Sequence, residues 1–544
     1  MGFSNQMKFI NYLSRLLNYK HFFLLLILGL LIFSYPMLVS NFDFLPGNSI
    51  DIRSFTYVLE HSYGWLTNAA THEEFWSPPF FYPTKNTLAY SDAFIGIMPI
   101  YWAIRAFLKP LEALQVLVVI LCIINYSSFY YLLKKRFNFN DLASSFGSFL
   151  FAFSVLRYFK MVHLNYYSQY LTILALIFLL AINKNKSKKH NHLCFLSVCF
   201  FMALQFYTCY SYGYFSFLIL LFGTIFALFF KKYRNEIFDF IKSFKKEIII
   251  YSIVFICTLY PLAQHYIAVG KVRQLTDVYT YLQNASAWIR SVSILDCAIL
   301  KDFFAFAGPV NSEEVCAGIG IFTLIISLVG LFLLKKHRWL LLFLITFIFF
   351  ASCEVSDFIL WEYLYYLPGA NGIRAIIRLS LMGLIVLSIG SAFLFEYLTK
   401  INKKWVPALI YIIGTLIIIE QIPHCFDPNS EWKNYSWTKT TFNKQLNMYC
   451  SDIPKNKKSI LVLVNHYKSV ELSKHTTQAM YGKSICDLKV NSLAIWCGLK
   501  ANKPTINGLS GISYSTTLSD ELLENTHFIN IPCDDSKAIF NYDR

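Results

Sequence analysis

The chain has 544 residues, of which 56% are hydrophobic, 18% aromatic and only 15% charged, where a soluble chain of this length carries about a quarter charged residues. With a mean hydropathy of +0.46, this composition excludes an ordinary soluble globular protein. The net charge of +16 falls in short clusters between apolar runs, not in a basic stripe interleaved with stacking aromatics, so it reads as an orientation signal and argues against nucleic acid as a partner.

Apolar runs of about 18 residues, the length that crosses a hydrocarbon core, recur along the whole chain. The first, His21 to Ser40, follows Lys8, Arg15 and Lys20. It is longer than a signal-peptide core and leads into Asn41-Phe42-Asp43-Phe44, which offers no small-residue cleavage site, so a retained first helix is expected. With the N-terminus cytoplasmic, about eleven crossings follow: about 21–40, 111–133, 141–157, 168–182, 193–209, 213–230, 247–264, 317–334, 339–353, 379–398 and 405–422. This assignment puts every basic short loop on one side: Lys134-Lys135-Arg136, Lys184 to Lys189, Lys231 to Arg234, Lys335 to Arg338 and Lys400 to Lys404. The weakly apolar stretch 93–107 is expected to lie along the surface, because a crossing there would invert the alternation downstream. The outer loops are then about 41–110, 265–316 and 354–378. Residues 1–423 form a transmembrane bundle, and residues 424–544 a small extracytoplasmic α/β domain.

In that tail, Ile460 to Val464 reads as a buried strand and Leu493 to Trp496 as a second. Asn507-Gly508-Leu509-Ser510-Gly511 is turn chemistry and lacks the spacing of a phosphate loop. The 13 cysteines include no CxxC pair, which argues against zinc. Cys297 with Cys316 could close an outer loop, and Cys425, Cys450, Cys486, Cys497 and Cys533 could form disulfides in an oxidising outer compartment.

The outer loops hold the distinctive polar residues. Asp51 opens a predicted helix in which Arg53, Tyr57 and Glu60 share one face and Phe55, Val58, Leu59 and Leu66 the other. This is the pattern of an amphipathic helix on the membrane surface, with Glu60 and Arg53 as a solvated pair and His61 beside them. Asp51 suits an N-cap, or a carboxylate that takes a proton from an acceptor hydroxyl or helps hold a divalent metal ion. Phe75 to Pro83 packs three prolines and five aromatics into nine residues, an extended segment at headgroup level. Ser91-Asp92 reads as the cap of the stretch that starts at 93. His163 is expected at the outer face, near enough to the surface to be solvated. Arg374 and Arg378 are four apart at the mouth of a helix, where paired guanidinium groups suit a phosphate. Lys271 and Arg273 could add to the same field.

Asp51-Ile52-Arg53 with Leu59-Glu60-His61, Phe75 to Pro83 with Ser91-Asp92, Leu367-Pro368-Gly369 with Arg374 and Arg378, and Asn507 to Gly511 together resemble the GT-C glycosyltransferases. The chain looks more particularly like a group of uncharacterised bacterial inner-membrane proteins of that architecture. The resemblance implies a mainly α polytopic bundle that transfers a sugar from a polyprenyl-phosphate donor to a glycan or lipid acceptor hydroxyl on the extracytoplasmic face. It makes Asp51 the base or metal ligand, Arg374 and Arg378 the holders of the leaving phosphate, and Arg53 a helper, with Glu60, His61, Asp92 and His163 as further site candidates. In one respect the sequence departs: the group has Asp after Gly47, whereas position 48 here is Asn, which leaves Asp51 alone in the acidic role.

Two other classes fit a polytopic chain. A lipid or polysaccharide transporter would show mid-membrane ionisable residues and internal repeats, whereas here the charges gather at helix ends. A non-catalytic assembly factor would use the tail to bind a partner.

Overall fold

The computed structural model describes residues 19–47, 51–269, 274–295, 317–423, 437–464, 485–507 and 525–531. Asn48, Lys271, Arg273, Cys297, Cys316, Cys425, Cys533 and Gly508 to Gly511 lie outside the described residues, as does the side chain of Cys486.

The protein is mainly helical. Lys20–Val39 (α1) is followed by Asp51–Leu66 (α2), Met98–Arg105 (α3), Pro110–Arg136 (α4), Asp141–Phe153 (α5), Tyr170–Leu179 (α6), Lys188–Thr208 (α7), Tyr210–Leu228 (α8) and Lys231–Val269 (α9). Then come Ile321–Leu333 (α10), Arg338–Ser352 (α11), Ser380–Thr399 (α12), Val406–Glu420 (α13), Lys439–Cys450 (α14) and Ile485–Ala501 (α15). Each of the eleven apolar runs is helical. Among the described residues, seven are long and apolar enough to cross a membrane: α1, α4, Asp141–Val162, α7, α8, α9 and Ile376–Thr399. Four more, Leu164–Leu179, α10, α11 and α13, are apolar and shorter. By contrast, α3 has eight residues, about 12 Å of helix, far short of a core about 30 Å thick.

Chain alternation places the lysine-rich turns at 134–136, 184–189, 231–234, 335–338 and 400–404 at one end of the bundle. Gly47, Asp92, His163, Tyr210 and Arg378 lie at the other. Helix α12 is central and packs on α5, α10 and α11. Its approach to α10 is set by small residues: a Cβ on Gly330 would fall on the Gly390 carbonyl, and one on Gly390 on the Ser327 carbonyl. Close backbone contact of this kind is how helices associate where lipid supplies no hydrophobic drive.

Helix starts leave unsatisfied amides, which are costly away from water. Local residues cap some: Asn140 accepts from Ala143 N (2.9 Å) and Ser187 from His190 N (3.2 Å). Distant carboxylates cap others. Asp141 accepts from His21 N at 3.1 Å, Glu396 from Asn140 N at 2.7 Å, and Asp92 from Tyr210 N at 2.8 Å. Glu420 accepts from Phe322 N at 2.9 Å and Thr323 N at 2.6 Å. Asp92 is therefore a cap, as its sequence context suggests, but of α8, 118 residues away, and not of the stretch beginning at 93.

The tail is seated on the first loop. Phe44–Leu45 (β1) pairs antiparallel with Trp437–Thr438 (β2), and Asp43 accepts from Lys439 N, Thr440 N and Thr440 Oγ1. Ser459–Val464 (β3) pairs in parallel with Thr526–Ile531 (β4), which places the expected strand at 460–464. The second expected strand is absent: Leu493 to Trp496 lies inside α15, buried on every side from Asn491 to Cys497. A short, fully buried apolar run carries no periodicity with which to tell the two apart. Cys450 and Cys497 form a disulfide joining α14 to α15.

Candidate functional site

Helix α2 forms from Asp51 as expected, but it does not lie on a membrane surface with a solvated polar face. Arg53, Ser54, Thr56, Tyr57, Glu60 and His61 are all buried, enclosed by bundle and tail. An amphipathic helix can meet protein on its polar side as readily as water, provided each polar group finds a partner. Arg53 lies over the Phe442 ring at 4.2 Å, and its carbonyl accepts from Trp496 Nε1 at 3.1 Å, so both of these contacts are with the tail. Glu60 does not pair with Arg53. It accepts from Arg105 Nε at 2.6 Å and Nη2 at 3.2 Å and from the Tyr101 hydroxyl, which ties α2 to α3.

His61 Nε2 lies 2.9 Å from the Phe75 carbonyl and its Nδ1 2.9 Å from His72 Nδ1. The carbonyl can only accept, so Nε2 carries the proton, His61 Nδ1 accepts, and His72 Nδ1 donates. Burial pushes both imidazoles down, to about 3 for His61 and about 4 for His72. This is a neutral structural tether for the Phe75 to Pro83 segment. That segment is not a lipid anchor: Phe80 and Phe81 are buried, Trp76 stacks on His265 at 3.8 Å, and the Phe81 and Tyr82 amides donate to the Asn507 and Thr505 carbonyls of the tail.

Three expected site residues do meet, at the end of the bundle away from the lysine-rich turns. His163 is buried rather than solvated, and its Nε2 lies 2.8 Å from Arg378 Nη2. An arginine only donates, so His163 Nε2 is the acceptor. Arg378 also stands over Tyr166 at 5.5 Å. Asp92 bonds to Asn165 Nδ2 as well as to Tyr210 N. Burial raises the Asp92 carboxyl, while those hydrogen bonds and then the Arg378 charge oppose the rise. The ring of Phe55 reaches both His163 (6.2 Å) and Phe94 (5.1 Å). Asp51 lies one helical turn before Phe55 on the same face, half-buried.

Arg374 and Arg378 do not share a helical face. Gly372 ends one short 3-10 turn and Ile376 begins another, with Arg374 in the extended link between. Arg374 instead lies over Tyr281 at 4.7 Å. Beside the start of α2 is a small, mainly apolar cleft of about 20 Å³, lined by Phe33, Met37, Leu45, Gly47, Tyr158 and Val162 among others. Val162, in its lining, is the chain neighbour of His163.

The sequence reading missed Asn165, Tyr166, Tyr210 and Tyr281 here, and Arg105 and His72 beside α2. The one available signal was His163-Leu164-Asn165-Tyr166-Tyr167, a polar and aromatic interruption between apolar runs. Buried ionisable residues within the bundle were also missed, among them Arg157 and Glu420. Arg157 is held by the Phe151 carbonyl at 2.8 Å and by Gln169, and Glu420 is the cap described above. No protein-family model matches the sequence, and no curated protein matches it significantly.

Proposed function

We propose that the chain is a membrane glycosyltransferase of GT-C-like architecture, moving a sugar from a polyprenyl-phosphate donor to an acceptor hydroxyl on the extracytoplasmic face. In this reading all eleven apolar helices cross the membrane, the N-terminus is cytoplasmic and the tail is outside. The gathering of basic turns at one end supports that orientation, and a disulfide in the tail suits an oxidising compartment.

The observation that carries the proposal is the meeting of Arg378, His163 and Asp92 beside Phe55 of α2. The acceptor oxygen attacks the anomeric carbon. The bond from that carbon to the phosphate oxygen breaks, and its electron pair leaves on the lipid phosphate. The acceptor proton passes to Asp51. Arg378, oriented by a neutral histidine and a tyrosine face, meets the charge growing on the phosphate, and Arg374 adds to the field. Among the described residues no three His, Cys, Asp or Glu side chains gather. A divalent ion taking part would therefore draw oxygen ligands from the donor phosphate as well as Asp51.

The test is transfer from a panel of polyprenyl-phosphate hexoses and pentoses by the full chain in lipid nanodiscs. Asp51→Asn should lower turnover by about 10²- to 10⁴-fold, the usual worth of a general base, with folding intact. Arg378→Gln should weaken retention of a polyprenyl phosphate without sugar. Undiminished transfer by Asp51→Asn removes that residue from the mechanism.

A further inference from the structure

Helix α9 is two helical segments joined by a kink at Phe244, which leaves helical geometry (φ −125°, ψ 21°). The break divides it into an arm, 231–243, and a rod, 245–269. The arm starts at the end of the bundle that carries the lysine-rich turns. Over residues 231–246 the sequence has six basic residues (Lys231, Lys232, Arg234, Lys242, Lys245, Lys246) and two acidic ones (Glu236, Asp239).

One side of the arm is accounted for by protein. Tyr233 stacks on His337 at 5.5 Å, and Phe240 and Phe244 meet Phe195 at 6.3 and 5.7 Å. The opposite side is not: Phe238 is 56% and Ile241 46% exposed. Arg234 and Lys242 stand one turn before and after Phe238, so cation, phenyl and cation form one strip with Ile241 alongside. The Tyr233–His337 stack brings Lys335, Lys336 and Arg338 to the same place. Burial, then Lys336 and Lys232, hold His337 below its ordinary value, with Glu236 opposing, so positive charge from both turns converges there.

An exposed phenylalanine and isoleucine between cations, on a helix that bends away where an apolar rod begins, match a membrane interface rather than water. The rings enter the acyl boundary and the cations stay among the headgroups. We infer that the 231–243 arm is an anionic-phospholipid site. Phe238 and Ile241 insert, and Arg234, Lys242 and the neighbouring 335–338 turn bind lipid phosphate. Charge complementarity selects this occupant, and the inference does not depend on the transferase reading.

The experiment uses the full chain. Native mass spectrometry of the detergent-purified protein, titrated with phosphatidylglycerol or phosphatidylcholine, should show preferential retention of the anionic lipid. The R234Q/K242Q/K245Q variant should lose that preference by about a hundredfold while retaining phosphatidylcholine as before. Independently of any variant, amide exchange across 231–243 should be slower in nanodiscs containing phosphatidylglycerol than in phosphatidylcholine alone. Equal retention of the two lipids by the wild type, an unchanged preference in the variant, or equal exchange in both nanodiscs overturns the proposal. Protection in both lipids together with a doubled mass would assign the face to a second copy, and overturns it too.

Discussion

Glu420 offers the sharpest test of how this bundle is held together. Its carboxylate is fully buried and accepts from Phe322 N, Thr323 N and Thr323 Oγ1 at 2.9, 2.6 and 2.6 Å. It thereby supplies α10 with a first-turn anion from 97 or 98 residues away. The approach is so close that Gly320, at φ +90°, has room for no Cβ beside it. Glu420→Gln keeps the shape but offers one oxygen in place of two and turns an amide group toward the donors. Losing a charge-assisted hydrogen bond costs about 1.5–3 kcal/mol, and losing the anion at a partly buried helix start up to about 2 kcal/mol more. A destabilisation of about 3–4 kcal/mol is therefore expected. It can be measured as the shift in unfolding free energy when the full chain in dodecyl maltoside is titrated with SDS and followed by circular dichroism. Glu236→Gln, on the exposed arm, serves as control and should stay within about 0.5 kcal/mol. A cost below about 1 kcal/mol for Glu420→Gln would refute the view that remote carboxylates carry the helix starts.

Two further outcomes follow from the first outer loop. Because His61 and His72 are held neutral, their contribution is complete above the free value of 6.5 and is lost as pH falls toward about 3 and about 4 respectively. At pH 5 this amounts to about 2 kcal/mol per ring. Unfolding free energies at pH 7 and pH 5 should show that loss, and His72→Asn should remove about half of it; a wild-type profile flat over this range contradicts the assignment. Arg53→Leu keeps bulk beside Phe442 but removes the cation, at a cost of about 1–2 kcal/mol. Faster amide exchange in α14 and α15 should result, and unchanged exchange there would mean that Arg53 does not fasten the tail.

The apolar runs were legible because a membrane-crossing segment announces itself by length and hydropathy alone, and all eleven became helices. Helix α2 was legible too, through its periodicity and the leading Asp51. Its surroundings were not. A polar face reads the same whether it meets water or protein, so Arg53 and Glu60 were expected in solvent and are buried. The 493–496 run failed for a different reason: four buried apolar residues fit a strand and a helix equally well.

Sequence alone determined where the chain turns apolar, where its basic turns fall and that α2 begins at Asp51, since each depends on neighbours within a turn or two. Only the tertiary structure decided that Asp92 caps α8, that Glu420 caps α10, and that Arg378 finds His163, 215 residues away. A buried charge takes whichever partner packing brings within about 3 Å, and that choice is made by helices meeting across the bundle.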